Sequence, residues 1–306
     1  MLSRVTNQSL TRNAQYNLQT GLAALAKLQD QASSKKAISV PSDDPAGTSK
    51  ALQVRSQQAA TAQYGRNIDD GTAWLNTIDS TMSTVSSIMG RIRDLTVQGA
   101  NDGAMSPSSK QAIATELTSL KGELLRQSNT SYLGRSVFAG NSDAGVAFNP
   151  DGTFTGAPGS NVQRRIDANT TVRVDAEGSA VFGTNPGVPP STDPGTTPGS
   201  VFTLLDNIIS DLQTGVNISA RLTEIDQRKQ AISAQQSIIG TTEAQMDRAK
   251  QTNAGQTVSL EAQRSSVEDL DIAKVILDLQ TQQTTYQTSL AVTAKVLQPT
   301  LMDFLH

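Results

Sequence analysis

The sequence predicts a mainly α-helical protein in which long heptad helices form an elongated bundle interrupted by one small β-rich insert. Three observations carry this. Apolar residues recur every seven positions through Ile68, Leu75, Met82 and Met89, with Gly71, Ile78, Val85 and Ile92 interleaved. A second stripe of that spacing closes the chain. Between residues 136 and 199 the pattern changes to short alternating runs separated by turn sequences and proline. Only 4% of the 306 residues are aromatic, which suits thin helical bundles better than one large core.

In chain order, residues 1–35 carry a modest stripe, Leu18, Leu22, Leu25 and Leu28, with Gly21 inside it. Glycine weakens a helix, so this segment is expected to stay frayed until it meets a partner. Pro41 then breaks the chain, because it lacks an amide proton and biases Val40 away from helical angles. Ser42, Asp43, Asp44 and Pro45 restart it. Ser42 or Asp44 can cap, Pro45 suits the first helical position, and the carboxylates sit at the positive end of the dipole.

The seam up to Ile92, flanked by Trp74, Ile88 and Leu95, predicts a helix of about fifty residues, roughly 75 Å at 1.5 Å per residue. Asn101-Asp102-Gly103 and Pro107 turn the chain. Ile113, Leu117, Leu120 and Leu124 then mark a helix folded back antiparallel.

In the insert, Asn149-Pro150-Asp151-Gly152 predicts a hairpin between Val146-Ala147-Phe148 and Thr153-Phe154-Thr155. Val162, Arg164 and Ile166, then Val172 and Val174, read as strands that Val181-Phe182 closes. Pro186, Pro189, Pro190, Pro194 and Pro198 make residues 184–199 an extended segment. Helices resume at Phe202, Leu205, Ile209 and Leu212, and after Gly215 at Ile218, Leu222, Ile225, Ile232, Ile239 and Met246. Ser265 and Glu268 form a capping-box pattern before the last helix. Its stripe is Ile272, Ile276, Leu279, Tyr286, Leu290, Leu297 and Leu301.

Composition removes most chemistry. There is no cysteine, and the only histidine is His306, so thiol chemistry, His-based triads and common zinc sites are absent. A net charge of −3 gives no reason to expect nucleic acid. No apolar run is long enough for membrane insertion. With no signal-peptide pattern after Met1, the cleavable-signal criterion alone reads as cytoplasmic.

Ser33 and Lys36 share the spacing of one acylating serine motif, but nothing else of that fold accompanies them. Asn149, Asp151 and Gly152 form a fragment of a calcium loop without its distal glutamate, so a plain turn is preferred. Asp43 and Asp44 lack an acid–base partner, and capping explains them. No cofactor, metal or catalytic residue is expected, and the insert is not read as an enzyme.

What remains is assembly. A lone helix with a narrow stripe is marginal in water, so the stripes need partner helices. The seam from Ile68 to Ile92 is expected to close within the chain. The two terminal stripes, Leu18, Leu22, Leu25 and Leu28 with Ile272, Ile276, Leu279, Tyr286, Leu290, Leu297 and Leu301, are expected to pack between copies. The layout divides into a terminal helical domain, 1–35 with 266–306; a helical rod domain, 36–135 with 200–265; and a β-rich outer domain, 136–199.

Three stretches bring a family into view: the break from Ser33 to Ala46, Gly134-Arg135-Ser136-Val137-Phe138-Ala139-Gly140, and Ser265 to Ala273 with the ending Ala294-Lys295-Val296-Leu297-Gln298-Pro299. Together they resemble the flagellin superfamily, and within it the hook–filament junction branch, over about three quarters of the chain. The resemblance implies paired terminal helices in an inner tube, helical rods in an outer tube, and an insert facing outward. It also implies unfolded export through the flagellar type III export apparatus with an export chaperone, which needs no cleaved signal and places the protein on the extracellular flagellum. The implied partners are copies of itself, hook-associated protein 1 and flagellin. A short flagellin, the filament subunit itself, is the alternative.

Overall fold

A computed structural model describes residues 7–101, 105–157, 159–184 and 199–296. Helix α1, Asn7–Ser34, ends where Lys35 turns left-handed at φ 56°. Helix α2, Pro45–Gly99, follows a cap in which the Asp44 carboxylate accepts the Gly47 N–H at 2.9 Å. Helix α3, Pro107–Ser128, begins after Ser106, whose hydroxyl accepts the Ser109 N–H at 3.2 Å.

Next come two antiparallel ribbons, β1 (Ser131–Tyr132) with β2 (Arg135–Ser136) and β3 (Gln163–Arg165) with β4 (Thr171–Arg173). A helical turn, α4 (Gly178–Phe182), follows. Helix α5 (Val201–Thr214) stops at Gly215, left-handed at φ 77°; helices α6 (Arg221–Glu268) and α7 (Ile272–Val296) complete the described chain.

These elements form two compact units. One holds the described residues up to 60 and from 256 onward, and the other holds those from 61 to 255. Helices α2 and α6 contribute to both.

The larger unit has the heptad core read from the sequence. Ile68, Leu75, Ile78, Met82, Val85, Met89 and Ile92 of α2 are buried with Ile225, Ile232, Ile239 and Met246 of α6. Each such side chain contributes about 1.5–3 kcal/mol of burial. The two helices run antiparallel here, because Arg93 pairs with Asp226 at 2.7 Å and Lys250 with Asp69 at 2.8 Å. Helix α3 returns along α2, with Arg91 and Glu116 2.6 Å apart and Ile113, Leu117 and Leu124 in the core. Gly71 marks a close approach: a Cβ there would stand 2.3 Å from Met246 Cε, which would have to move, and 3.1 Å from Val174.

The insert belongs to this same core. The Phe148–Phe154 bridge and the turn at Asn149–Gly152 form the expected hairpin, held to α3 by Asn129, whose side-chain oxygen accepts the Ala147 and Phe148 N–H groups at 2.8 and 2.9 Å. Val181 and Phe182 do not form a strand. They lie in α4, which turns Phe182 edge-on to Phe138 and Phe148 at 5.3 and 5.4 Å, and a helical turn buries both side chains where a flat ribbon would bury one.

Arg228 of α6 is buried beneath α4 and donates to the carbonyls of Ala180, Val181 and Gly199. The proline-rich stretch read at 184–199 lies, from 185 to 198, outside the described residues.

Candidate assembly interface

In the smaller unit, α1 and α7 lie side by side. Their antiparallel sense follows from the antiparallel Lys36–Asp269 bridge at one end and from Gln282, whose side-chain amide donates to the Gly21 carbonyl at 3.2 Å. On α1 the half-buried side is Ala14, Leu18, Gly21, Leu25 and Leu28; on α7 the inward side is Val275, which is buried, and Leu279, Gln282, Tyr286, Ser289 and Thr293, which are half-buried. The 4-3-4-3 spacing is that of a two-helix seam.

The terminal stripes therefore meet each other within one chain, as paired terminal helices, where packing between copies was expected of them. The bridge beside Ala37 and Glu268 ties the end of α1 to the segment just before α7, so each helix has a neighbour before any second copy arrives.

The seam nevertheless uses only part of the predicted stripe. Leu18, Leu25, Leu28, Leu279 and Tyr286 face it, whereas Leu22, Ile272, Ile276 and Leu290 stay 52%, 48%, 47% and 44% exposed. Helix α7 carries two seven-residue stripes on either side of Leu279 and Tyr286. The one turned inward, Val275, Gln282 and Ser289, has the smaller apolar groups; the one left outside, Ile276, Gln283 and Leu290, has the larger. Tyr16, Leu277 and Val292 are further exposed apolar residues that the stripe reading missed. Being off the seven-residue spacing, they gave no periodic signal. Leu297 and Leu301 lie outside the described residues.

The break between α1 and α2 is tied down by carboxylates. Pro41 and Ser42 are exposed in the turn, and Pro45 is the first residue of α2. Asp43 accepts the Ser39 and Val40 N–H groups at 3.3 and 3.2 Å and pairs with Lys27 at 3.0 Å; that lysine, first, and the amides hold its carboxyl below the usual range.

Glu268 is 4% exposed at the end of α6. Its Oε1 lies 2.7 Å from Arg55 Nε, its Oε2 accepts from Arg55 Nη2 at 2.8 Å and from Arg264 Nη1 at 3.3 Å, and its backbone carbonyl accepts the Ala37 N–H at 2.8 Å. Arg55, first, and Arg264 hold this carboxyl below its ordinary value against the opposing effect of burial. Ser265 and Glu268 thus close α6 rather than cap α7. The cap of α7 is Asp271, which accepts the Lys274 N–H at 3.1 Å.

Among the described residues no three His, Asp or Glu side chains are grouped to hold a metal ion, and no helix is long and apolar enough to cross a membrane. The Asp151 carboxylate is occupied by the Thr153 amide and hydroxyl at 2.9 and 2.6 Å, the geometry of a turn.

The sequence profile of the bacterial flagellin N-terminal helical region matches residues 5–143, and that of the C-terminal helical region matches residues 222–305. Flagellar hook-associated protein 3 of Salmonella typhimurium is 26% identical over 70% of this chain and 68% of its own length. A flagellin of Bacillus subtilis is 23% identical over 89% of this chain and 88% of its own. The crystal structure of Bacillus cereus FlgL superposes with a TM-score of 0.57, at 23% identity, over 70% of this chain and 99% of that one.

Proposed function

The chain belongs to the flagellin superfamily as a structural subunit of the bacterial flagellum, and from that premise we propose that it joins the hook to the flagellin filament. One observation carries the reading: α1 and α7 already have each other as partners, and the larger apolar stripe of α7, Ile276 and Leu290 with Ile272, is still exposed. Apolar side chains spaced along one helix and left in water are what a further helix covers. Copies of the chain supply it, so the subunits assemble through Leu18, Leu22, Leu25, Leu28, Ile272, Ile276, Leu279, Tyr286, Leu290, Leu297 and Leu301, α1 and α7 pairing within each copy and the outward residues meeting between copies.

In this proposal residues 1–35 with 266–306 form the inner tube. Residues 36–135 with 200–265 form the surrounding helical layer, and residues 136–199 face outward. The array stacks on hook-associated protein 1 at one end and receives flagellin at the other. The subunit travels unfolded through the type III export apparatus with a chaperone and acts outside the cell without a cleaved signal. The turn at Pro41, Ser42, Asp43, Asp44 and Pro45 is the hinge.

The alternative is a filament flagellin, favoured by the longer stretch shared with the Bacillus subtilis protein. A deletion strain separates the two. Loss of a junction subunit leaves hooks while intact flagellin leaks into the medium. If no flagellin appears in the medium and filament protein itself is missing, the filament reading replaces this one.

A further inference from the structure

Opposite flanks of the α1–α7 pair differ in relief. With 3.6 residues per turn, Leu22 of α1 and Ile272, Ile276 and Leu290 of α7 fall on one side of the seam. Between them stand Gln and Ala residues and no charge, so this flank is an apolar ridge in a neutral surface.

The other flank is hollow toward the end of the pair away from the Lys36–Asp269 bridge. There the seam holds Ala14 and Ser289 in place of leucines, and a groove of about 500 Å³ opens, bordered by Asn13, Asn17, Thr285, Thr288 and Val292. No charged side chain lines it. Farther along this flank Lys274 and Asp278 break the neutral surface, so the groove is the part that accepts an uncharged guest. Gly21 lies beside Gln282 and Tyr286, and that register puts Leu290 level with the groove and Leu22 about one turn from it, toward the Lys36–Asp269 bridge.

We infer that the groove of one copy seats the Leu22–Leu290 ridge of the next. Ridge and groove sit on opposite flanks, so the contact is head-to-tail, and repeating it yields a ring or an open helical array rather than a two-fold dimer. An isologous contact would set ridge on ridge and leave every groove empty. The inference rests on the self-assembly proposed above and specifies which surfaces meet.

The chain has no cysteine, so introduced cysteines report the contact directly. Flagella are isolated from cells whose only copy carries Leu290→Cys with Asn17→Cys, or Leu22→Cys with Thr285→Cys, and mildly oxidised. The expected result is a ladder of disulfide-linked multimers for either double variant. Co-expressed single variants should give a dimer at least tenfold above either one alone. A chain that is present in the flagella but stays monomeric in both double variants overturns the ridge-in-groove contact, as does efficient cross-linking by Leu290→Cys alone. Absence of the wild-type chain from isolated flagella instead overturns the junction assignment. If one double variant fails to assemble, the other decides.

Discussion

Glu268 shows how a single carboxylate fixes the meeting of four chain segments. It binds Arg55 of α2 and Arg264 of α6, its carbonyl holds Ala37, and α7 starts four residues later. Because its folded pKa is depressed, its stabilisation is complete above the ordinary glutamate range and is lost as pH falls through the folded value. Asp43 beside Lys27 and Glu261 beside Arg264 are depressed in the same direction and add to the same trend. Replacing Glu268 by Gln keeps the shape and removes the charge, which should cost about 1.5–3 kcal/mol at neutral pH. Thermal unfolding followed by circular dichroism from pH 7 down to pH 3 checks this: the wild-type α1–α7 pair should lose melting temperature steadily below pH 5, and the Gln variant should start lower and fall less. Equal slopes for the two proteins would place the pH dependence elsewhere. Residues of this kind were not legible in the sequence. Glu268 reads as a capping residue and Arg228 lies off the α6 stripe, whereas the partners that bury them, Arg55 and the carbonyls of Ala180, Val181 and Gly199, arrive from 213, 48, 47 and 29 residues away.

At the scale of elements, legibility follows the size of the stripe residues. The α2 seam was readable because Ile68, Leu75, Met82 and Met89 are large, evenly spaced and unopposed by any rival stripe. In α7 two stripes share Leu279 and Tyr286, and the choice between Ile276 with Leu290 and Val275 with Ser289 depends on the small residues that α1 offers, Ala14 and Gly21. Sequence periodicity within α7 alone does not contain that information. The outcome is a thin seam: of the described residues of α1 and α7, Val275 is the one hydrophobic side chain that is buried, whereas α2 buries a dozen along its length. Few buried apolar contacts mean a low free energy of local opening. Amide hydrogen exchange on the free monomer should therefore be fast through residues 12–34 and 273–296 and slow through residues 68–96. On incorporation into flagella the terminal helices should become protected by at least a hundredfold. Slow exchange of both terminal helices in a verified monomer would mean that the pair needs no neighbours.

For the whole molecule, the division at residues 60/61 and 255/256 implies two stabilities in one chain, even though α2 and α6 contribute to both units. The larger unit has a continuous core from Ile68 to Met246 that includes the insert; the smaller has the α1–α7 seam and the Glu268 cluster. The single tryptophan makes the difference measurable. Trp74 is 2% exposed in the larger unit, edge-on to Tyr132 at 5.5 Å and beneath the Arg164 guanidinium, and the smaller unit contains no tryptophan. Heating the full-length monomer should first remove far-ultraviolet helical signal in proportion to α1, α7 and the adjoining ends of α2 and α6, while Trp74 emission keeps its buried wavelength. A second transition should remove the remaining helix together with a red shift of that emission. The same order should hold in urea, with the smaller slope for the first step because it exposes less surface. Coincident loss of both signals in one transition would make the chain a single cooperative unit, and the terminal pair would then be as firmly folded before assembly as after it.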